Sequence, residues 1–437
     1  MDYQVEEAEV DEGHLRLIAE KLRRPPQLLT ISEGSNGCCI FRVPPIFHEI
    51  NGKSYKPQTV SIGPYHRGMP HLEVFEEHKW VYLGSMLNRI RIHGIELREL
   101  MRVLRSLERE ARECYSEVVS LEGNEFLEML LVDGCFIIEL FRKVSKLVSF
   151  DENDPIFTMP WVMPFLARDF LKLENQIPYF VLEKLFDLTR APSRDESRIS
   201  LSLSALFFFD WYTHRPEKVI LGFDKLKGKH LLDFIRMSYI EGFLESSQSP
   251  SRNRFHQIFN VTKLRKAGIK VKKAEEESFL VVKFRKGILL MPEITIDDFM
   301  SSFLLNCVAY EQCQKGASKH FTSYTNLLDC LVNTTRDVEY LCDQNVLDNY
   351  FGSDEEVAHF INTVGNEISF SDQTNYLSEV FNDVHDYFSN KTHVQWAGFR
   401  YTYFRSPWSF ISAFSAAILL LLTMAQTFYT IYGVYHK

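Results

Sequence analysis

Apolar positions along this chain mostly recur at the three-and-four spacing of amphipathic helices, with extended stretches near the start and past the middle. Leu97, Leu100, Met101, Leu104, Leu107, Ala111, Cys114 and Val118 form the clearest stripe, opposite a charged face where Glu108 and Arg112 sit one turn apart. Phe75, Trp80, Leu83 and Leu87 carry the same period just before it. From Phe126 to Val148 the chain is apolar nearly all round, which predicts a central, buried helix. Asp133 lies inside it, an acid that is costly to bury without a partner. The stretch from Trp161 predicts a helix to about Asn175 and a break at Pro178, because proline disfavours helix in the residue before it. A second helix should follow. Phe303, Leu304, Val308, Leu327, Leu328, Leu331 and Leu341 predict further buried helical faces.

Two regions break the helical period. From Cys39 to Gly68, proline, glycine and β-forming residues predict extended segments, with bends at Gly63-Pro64 and Arg67-Gly68 around Tyr65 and His66. Residues 279–292 predict a β-hairpin whose turn ends in Gly287. Residues 191–200 and 245–254 read as polar surface loops, and no internal repeat points to a solenoid. The expected fold is mainly α. An acidic, disordered tail (1–37) precedes one large α-helical globular domain with a small β-hairpin (38–390), followed by a juxtamembrane segment (391–405), a transmembrane helix (406–435) and a short tail (436–437).

The transmembrane expectation rests on Ser406 to Tyr435, which contains no Asp, Glu, Lys, Arg or His. A helix needs roughly 20 apolar residues to cross a bilayer core. The N-terminus has neither the basic start nor the apolar stretch of a secretory signal. Lys391, Arg400 and Arg405 before the run, against His436 and Lys437 after it, place the N-terminal part in the cytosol. Trp396, Tyr401, Tyr403 and Trp408 at the entry, with Tyr429, Tyr432 and Tyr435 at the exit, resemble interfacial belts. Ser409, Ala413 and Ala417 form a small-residue row through which two such helices can approach as a homodimer. The lipid bilayer is thus the first expected partner.

Composition narrows the rest. Of 437 residues, 45% are hydrophobic and 24% charged, ordinary for a globular chain, and 35 are Phe. Much of the net charge of -9 comes from Asp2, Glu6, Glu7, Glu9, Asp11 and Glu12, so the body is nearly neutral and no nucleic-acid partner is expected. The 8 cysteines show no CxxC pair and are expected to be reduced. Asn260, Asn333 and Asn390 head glycosylation triplets that are used only if they face a lumen.

Mechanistic motifs for nucleotide, nucleophilic-serine and zinc-protease chemistry are missing, so no cofactor is expected. His66, His71 and His78 have a ligand-like spacing but no rigid anchor, and no metal is expected. The best polar constellation is His66, Glu77, Asp133, Arg168, Asp169, Glu174 and Asn175, drawn from separate segments that can converge. A buried structural network is the preferred reading of that cluster. The preferred function is a non-catalytic, membrane-tethered interaction or recognition protein with an unidentified protein partner. The alternative is an enzyme with its site near Asp133, Arg168 and Glu174.

Successive segments together resemble the plant "domain of unknown function 247" family: CIFRVPPIF, YKPQTVSIGPYHRG, EEHKW, LLVDGCFIIELF, RDFLKLENQIPYFVLEKLF, LRKAGIKVKK, FRKGILLMPEITIDDF, NCVAYEQC, GSDEEVA and YFRSPWSFISAFSAAILLLLTMAQTFYTIY. The resemblance runs from about Cys39 to Tyr435. It implies a land-plant, mainly helical protein with one C-terminal span and no known catalytic activity. Some relatives are linked to pollen-side recognition in grass self-incompatibility, which points to a surface or signalling role. On that basis the plasma membrane is expected, with the endoplasmic reticulum, or an N-terminal domain outside, as alternatives. Val281, Leu290, Met291, Phe299, Met300 and Leu305 depart from the family pattern by putting apolar residues mostly where charged ones are usual.

Overall fold

A computed structural model describes residues 12–23, 38–191, 199–241, 258–366, 375–390 and 407–435. Helix α1 (Glu12–Arg23) lies within the stretch expected as a disordered tail, with Leu15, Leu17, Ile18 and Leu22 exposed. The body opens on an extended segment (38–43), helix α2 (Pro45–Tyr55) and a second extended segment (56–66). Helices α3 (Glu73–Arg91), α4 (Leu97–Glu113), α5 (Gly123–Val144), α6 (Pro155–Thr158), α7 (Val162–Asp169) and α8 (Tyr179–Leu188) follow. Then come α9 (Leu201–Thr213), α10 (Glu217–Leu221), α11 (Leu231–Ile240) and α12 (Val261–Lys266). Strands β1 (Lys270–Lys273), β2 (Lys283–Arg285), β3 (Ile288–Met291) and β4 (Ile294–Ile296) precede α13 (Asp298–Cys313), α14 (His320–Leu331) and α15 (Thr335–Asp343). Strand β5 (Leu347–Asn349), α16 (Asp354–Asn366) and α17 (Ser378–Ser389) complete the body, and α18 (Pro407–Tyr435) ends the chain.

Helix α5 is the axis. It packs against α3, α4, α8 and α9, and every residue from Phe126 to Lys143 except Glu128 is buried, as an all-round apolar helix requires. Around Phe141 the rings of Phe170, Phe208 and Phe209 gather at 6.2, 5.0 and 6.1 Å. Helix α4 buries Leu100, Leu104 and Ala111 but stops at Glu113, so Val118 is 98% exposed instead of continuing the stripe. The chain leaves the helix there to meet the first extended segment. The amides of Cys39 and Ile40 both donate to the Cys114 carbonyl at 2.9 Å, and that of Ser116 donates to Ile40 O at 2.9 Å.

The hairpin is present as β2 antiparallel to β3. Its turn residues Lys286 and Gly287 have φ of 49° and 77°, the pair of positive values that a two-residue I′ turn demands. Residues 279–282 form a buried apolar lead-in instead of a longer first strand. Two pairings went unforeseen: β1 runs parallel to β3, and β4 parallel to β5. Of the apolar departures from the family pattern, Val281, Met291, Phe299, Met300 and Leu305 are all buried.

Within α18, Ile411–Tyr432 is a 22-residue apolar stretch with none of it buried against the body. At about 1.5 Å per residue it matches the thickness of a bilayer core. Ala413 and Ala417 lie on it, as does Ser409, whose side chain falls outside the described residues. The same holds for Trp396, Tyr401 and Tyr403.

Candidate functional site: a polar clamp on an extended segment

Segment 56–66 runs through the interior without a β-ladder, so its amides need other partners. The end of α7, the turn after it and α5 supply them. Asp169 accepts from the successive amides of Gln58 (3.0 Å), Thr59 (2.7 Å) and Val60 (3.0 Å). Asn175 accepts from Ile62 at 2.7 Å and donates back to Val60 O at 3.1 Å. Asp133, on α5, accepts from Gly63 at 2.8 Å. Lys79 donates to the carbonyl of Ser61, and Lys172 to that of Lys56. The whole clamp is made of side chains.

The expected helix to Asn175 therefore ends at Asp169. The last carbonyls of α7 and the turn after it are met by side-chain amides: Asn175 donates to Asp169 O at 3.0 Å, and Gln176 to Phe170 O and Lys172 O at 2.8 Å each. Gly63 passes so close that a Cβ there would lie 2.3 Å from Gln176 O, and its φ of 76° already excludes most side chains.

Glu174 closes the arrangement at the other end. One oxygen accepts from Val43 N–H at 2.8 Å and faces His48 Nε2 at 3.1 Å, while the other faces His66 Nε2 at 2.9 Å. Arg42 approaches the second oxygen at 3.4 Å and stacks over Tyr65 at 4.4 Å. Burial opposes ionisation of Glu174, but the bond with His66, then those with Val43 and His48, hold it down at about 2. Asp133 differs: burial pushes its carboxyl up, against the pull of Lys79. Burial likewise pushes the Lys172 ammonium down, against Asp169 at 3.0 Å.

Five of the seven residues singled out in the sequence, His66, Asp133, Asp169, Glu174 and Asn175, take part in this clamp. Two do not. Glu77 is exposed, and its neighbour Glu76 reaches Lys79 at 2.6 Å in its place. Arg168 turns outward to Asp298 at 3.2 Å and stacks on Phe165. The residues sequence reasoning missed are Lys79, Lys172, Gln176 and Arg42. Lys79 was the legible one: it interrupts the stripe of Phe75, Tyr82, Leu83 and Met86 on α3, and a lysine there needs a buried acid.

His71 sits at the surface beside Pro57 O (3.3 Å) and His78 packs on Phe75, so neither joins His66. Among the described residues no group of three or more His, Cys, Asp or Glu side chains is arranged to hold a metal. Two further carboxylates serve their own chain in the same way. Glu311 binds Arg236 (2.9 Å) and the amides of Phe321 and Thr322, and Asp337 gathers the amides of Thr262, Asn333 and Thr334. Asp329 stands apart. It lines a cavity of about 540 Å³ with Phe259, Lys263, Asn333 and Asn362, and burial pushes its carboxyl up.

Fold and site together define a mainly α-helical protein whose buried acids hold its own two extended segments in place, with a separate apolar helix at the end. The chain belongs to a plant protein family of unknown function, DUF247, whose sequence pattern matches residues 40–422. The Arabidopsis thaliana protein named UPF0481 protein At3g47200 is 36% identical over 436 residues, covering 92% of this chain and 88% of its own length. Putative UPF0481 protein At3g02645 from the same plant is 24% identical over 490 residues, with 90% of each chain covered. No solved structure matches the chain.

Proposed function

We propose that this is a non-catalytic interaction or recognition protein, tethered to the plasma membrane by α18 with its helical body in the cytosol and a protein as its partner. The observation that carries the reading is the exposed, charge-free stretch Ile411–Tyr432, which has no packing role in the body. The clamp supports it, because the carboxylates that looked catalytic are bonded to the chain's own amides and lysines. Val74, Trp80 and Val81 on α3 are exposed and offer the body an apolar contact surface.

The test compares the full chain with a chain ending at Arg405 after an alkaline wash of membranes. The full chain should stay in the pellet and the shortened one should move to the supernatant; a full chain that washes off ends the tether. Glycosidase treatment reports sidedness. Asn333 and Asn390 are exposed, whereas the Asn260 side chain caps α12 by accepting from Lys263 N–H at 3.1 Å. No mobility shift is expected, and a shift removed by Asn333→Gln and Asn390→Gln places the body on the lumenal side.

The cavity at Asp329 favours a second reading, a small-molecule or catalytic site there and not at Asp133. Asp329→Asn then has to abolish ligand-dependent stabilisation against a metabolite panel while leaving the fold intact.

A further inference from the structure

We propose that Cys39 and Cys114 are a redox-active dithiol, a modification site that a peroxide closes to a disulfide. The backbone sets up the geometry. Ile40 and Tyr115 form an isolated parallel bridge, so Cys39 and Cys114 are the next pair in register and stand on one face of it. Neighbouring strands lie about 4.8 Å apart, inside the Cα separation of roughly 4.4–6.8 Å that a disulfide spans. The two side chains are close enough to influence each other's ionisation, and the Cys114 thiol donates to Glu110 O at 3.4 Å.

The chemistry distinguishes the partners. The neighbouring Cys39 thiol draws Cys114 below the usual range in spite of burial, while Cys114 and burial push Cys39 well up. Cys114 is the nucleophile and, as a residue, the slightly less buried of the two, at 6% exposure against 2% for Cys39. Cys135 and Cys307 are fully buried, and burial pushes both thiols up, so they stay inert.

In the first step the Cys114 thiolate attacks one oxygen of hydrogen peroxide. The O–O bond breaks, and the departing hydroxide takes up a proton and leaves as water. The sulfenic acid on Cys114 is then attacked by the Cys39 sulfur. Its S–O bond breaks, and the hydroxyl departs with the Cys39 proton as a second water. The two sulfurs give up two electrons in all, and the peroxide takes them. A thiol reductant reverses the change by exchange. The product ties the first extended segment covalently to the end of α4.

The experiment treats the full chain in detergent with hydrogen peroxide, blocks remaining thiols in denaturant and maps linked peptides by mass spectrometry. The expected product is a Cys39–Cys114 peptide pair lighter by two hydrogens and restored by dithiothreitol. In Cys39→Ser, dimedone should label Cys114, because the sulfenic acid has lost its resolving thiol. Thiols that all remain alkylatable, a link through Cys38, or dimedone on Cys39 of the Cys114→Ser chain would overturn the assignment. The wild-type linkage map decides even if both serine variants fail to fold.

Discussion

Lys79 of α3 and Asp133 of α5 meet at 2.7 Å with 1% of each side chain exposed. That pair joins the chain's central helix to its neighbour, and both members also serve segment 56–66, through Ser61 O and Gly63 N–H. Lys79→Met leaves a buried carboxylate without its cation and should cost about 3–5 kcal/mol. Lys79→Met combined with Asp133→Leu should cost clearly less than the sum of the two single changes, measured by urea unfolding. Strict additivity would show that the two groups do not act as a unit.

Asp169 and Asp298 test burial against exposure. Asp169→Ala frees three amides and strands Lys172, for an expected loss on the order of 3–5 kcal/mol. Asp298→Ala removes only the ion pair with Arg168, whose acid is 78% exposed, and should change stability by less than about 1 kcal/mol. Equal effects in thermal unfolding would contradict the clamp.

Glu174 gives the fold an acid-side dependence. Its carboxyl is held at about 2 in the fold, against an ordinary 4.5, so its contribution is fully present above about 4.5 and fades as pH falls toward 2. The linked stability is on the order of 3 kcal/mol. The Asp133 carboxyl is pushed up and works in the opposite sense. Glu174→Gln should therefore flatten the loss of stability between pH 4.5 and 2, as followed by circular dichroism. An unchanged acid limb would rule out Glu174 as its source.

Gly63 and Gly68 share a left-handed backbone, with φ of 76° and 79°, but only Gly63 has a backbone carbonyl where its Cβ would go. Gly68→Ala should cost about 1 kcal/mol, the conformational penalty alone. Gly63→Ala should cost more than twice that, because Gln176 and the turn it closes must shift. Matching losses would mean that segment 56–66 moves aside freely.

Much of this was legible in the chain. Periodicity located α5 because a helix apolar on every side has one place to go, and Gly287 marked the hairpin because an I′ turn needs positive φ. The parallel pairings of β1 with β3 and β4 with β5 leave no such mark, since no short turn joins the strands. In the clamp, residue type identified the carboxylates but not their partners. Glu76 and Glu77 are equivalent as letters, and only the rotation of α3, set by packing on α5, decides which one faces Lys79. Arg168 looked like the cation for buried acids, yet Asp133 and Asp169 take lysines, whose slim stems reach inward while the Arg168 guanidinium stays on Phe165.

The amides of residues 58–60 take their acceptor from a residue about 110 positions later. Segment 56–66 is therefore fastened only once the chain up to Asn175 has been made. Contacts of such separation slow folding, because the entropy of closing the long loop is spent before the contact forms. Until Asp169 and Asn175 emerge, 56–66 is an open strand able to be captured by the matching turn of another copy. Crowded synthesis should favour chains that have traded this segment, a swapped pair with every native bond made between partners.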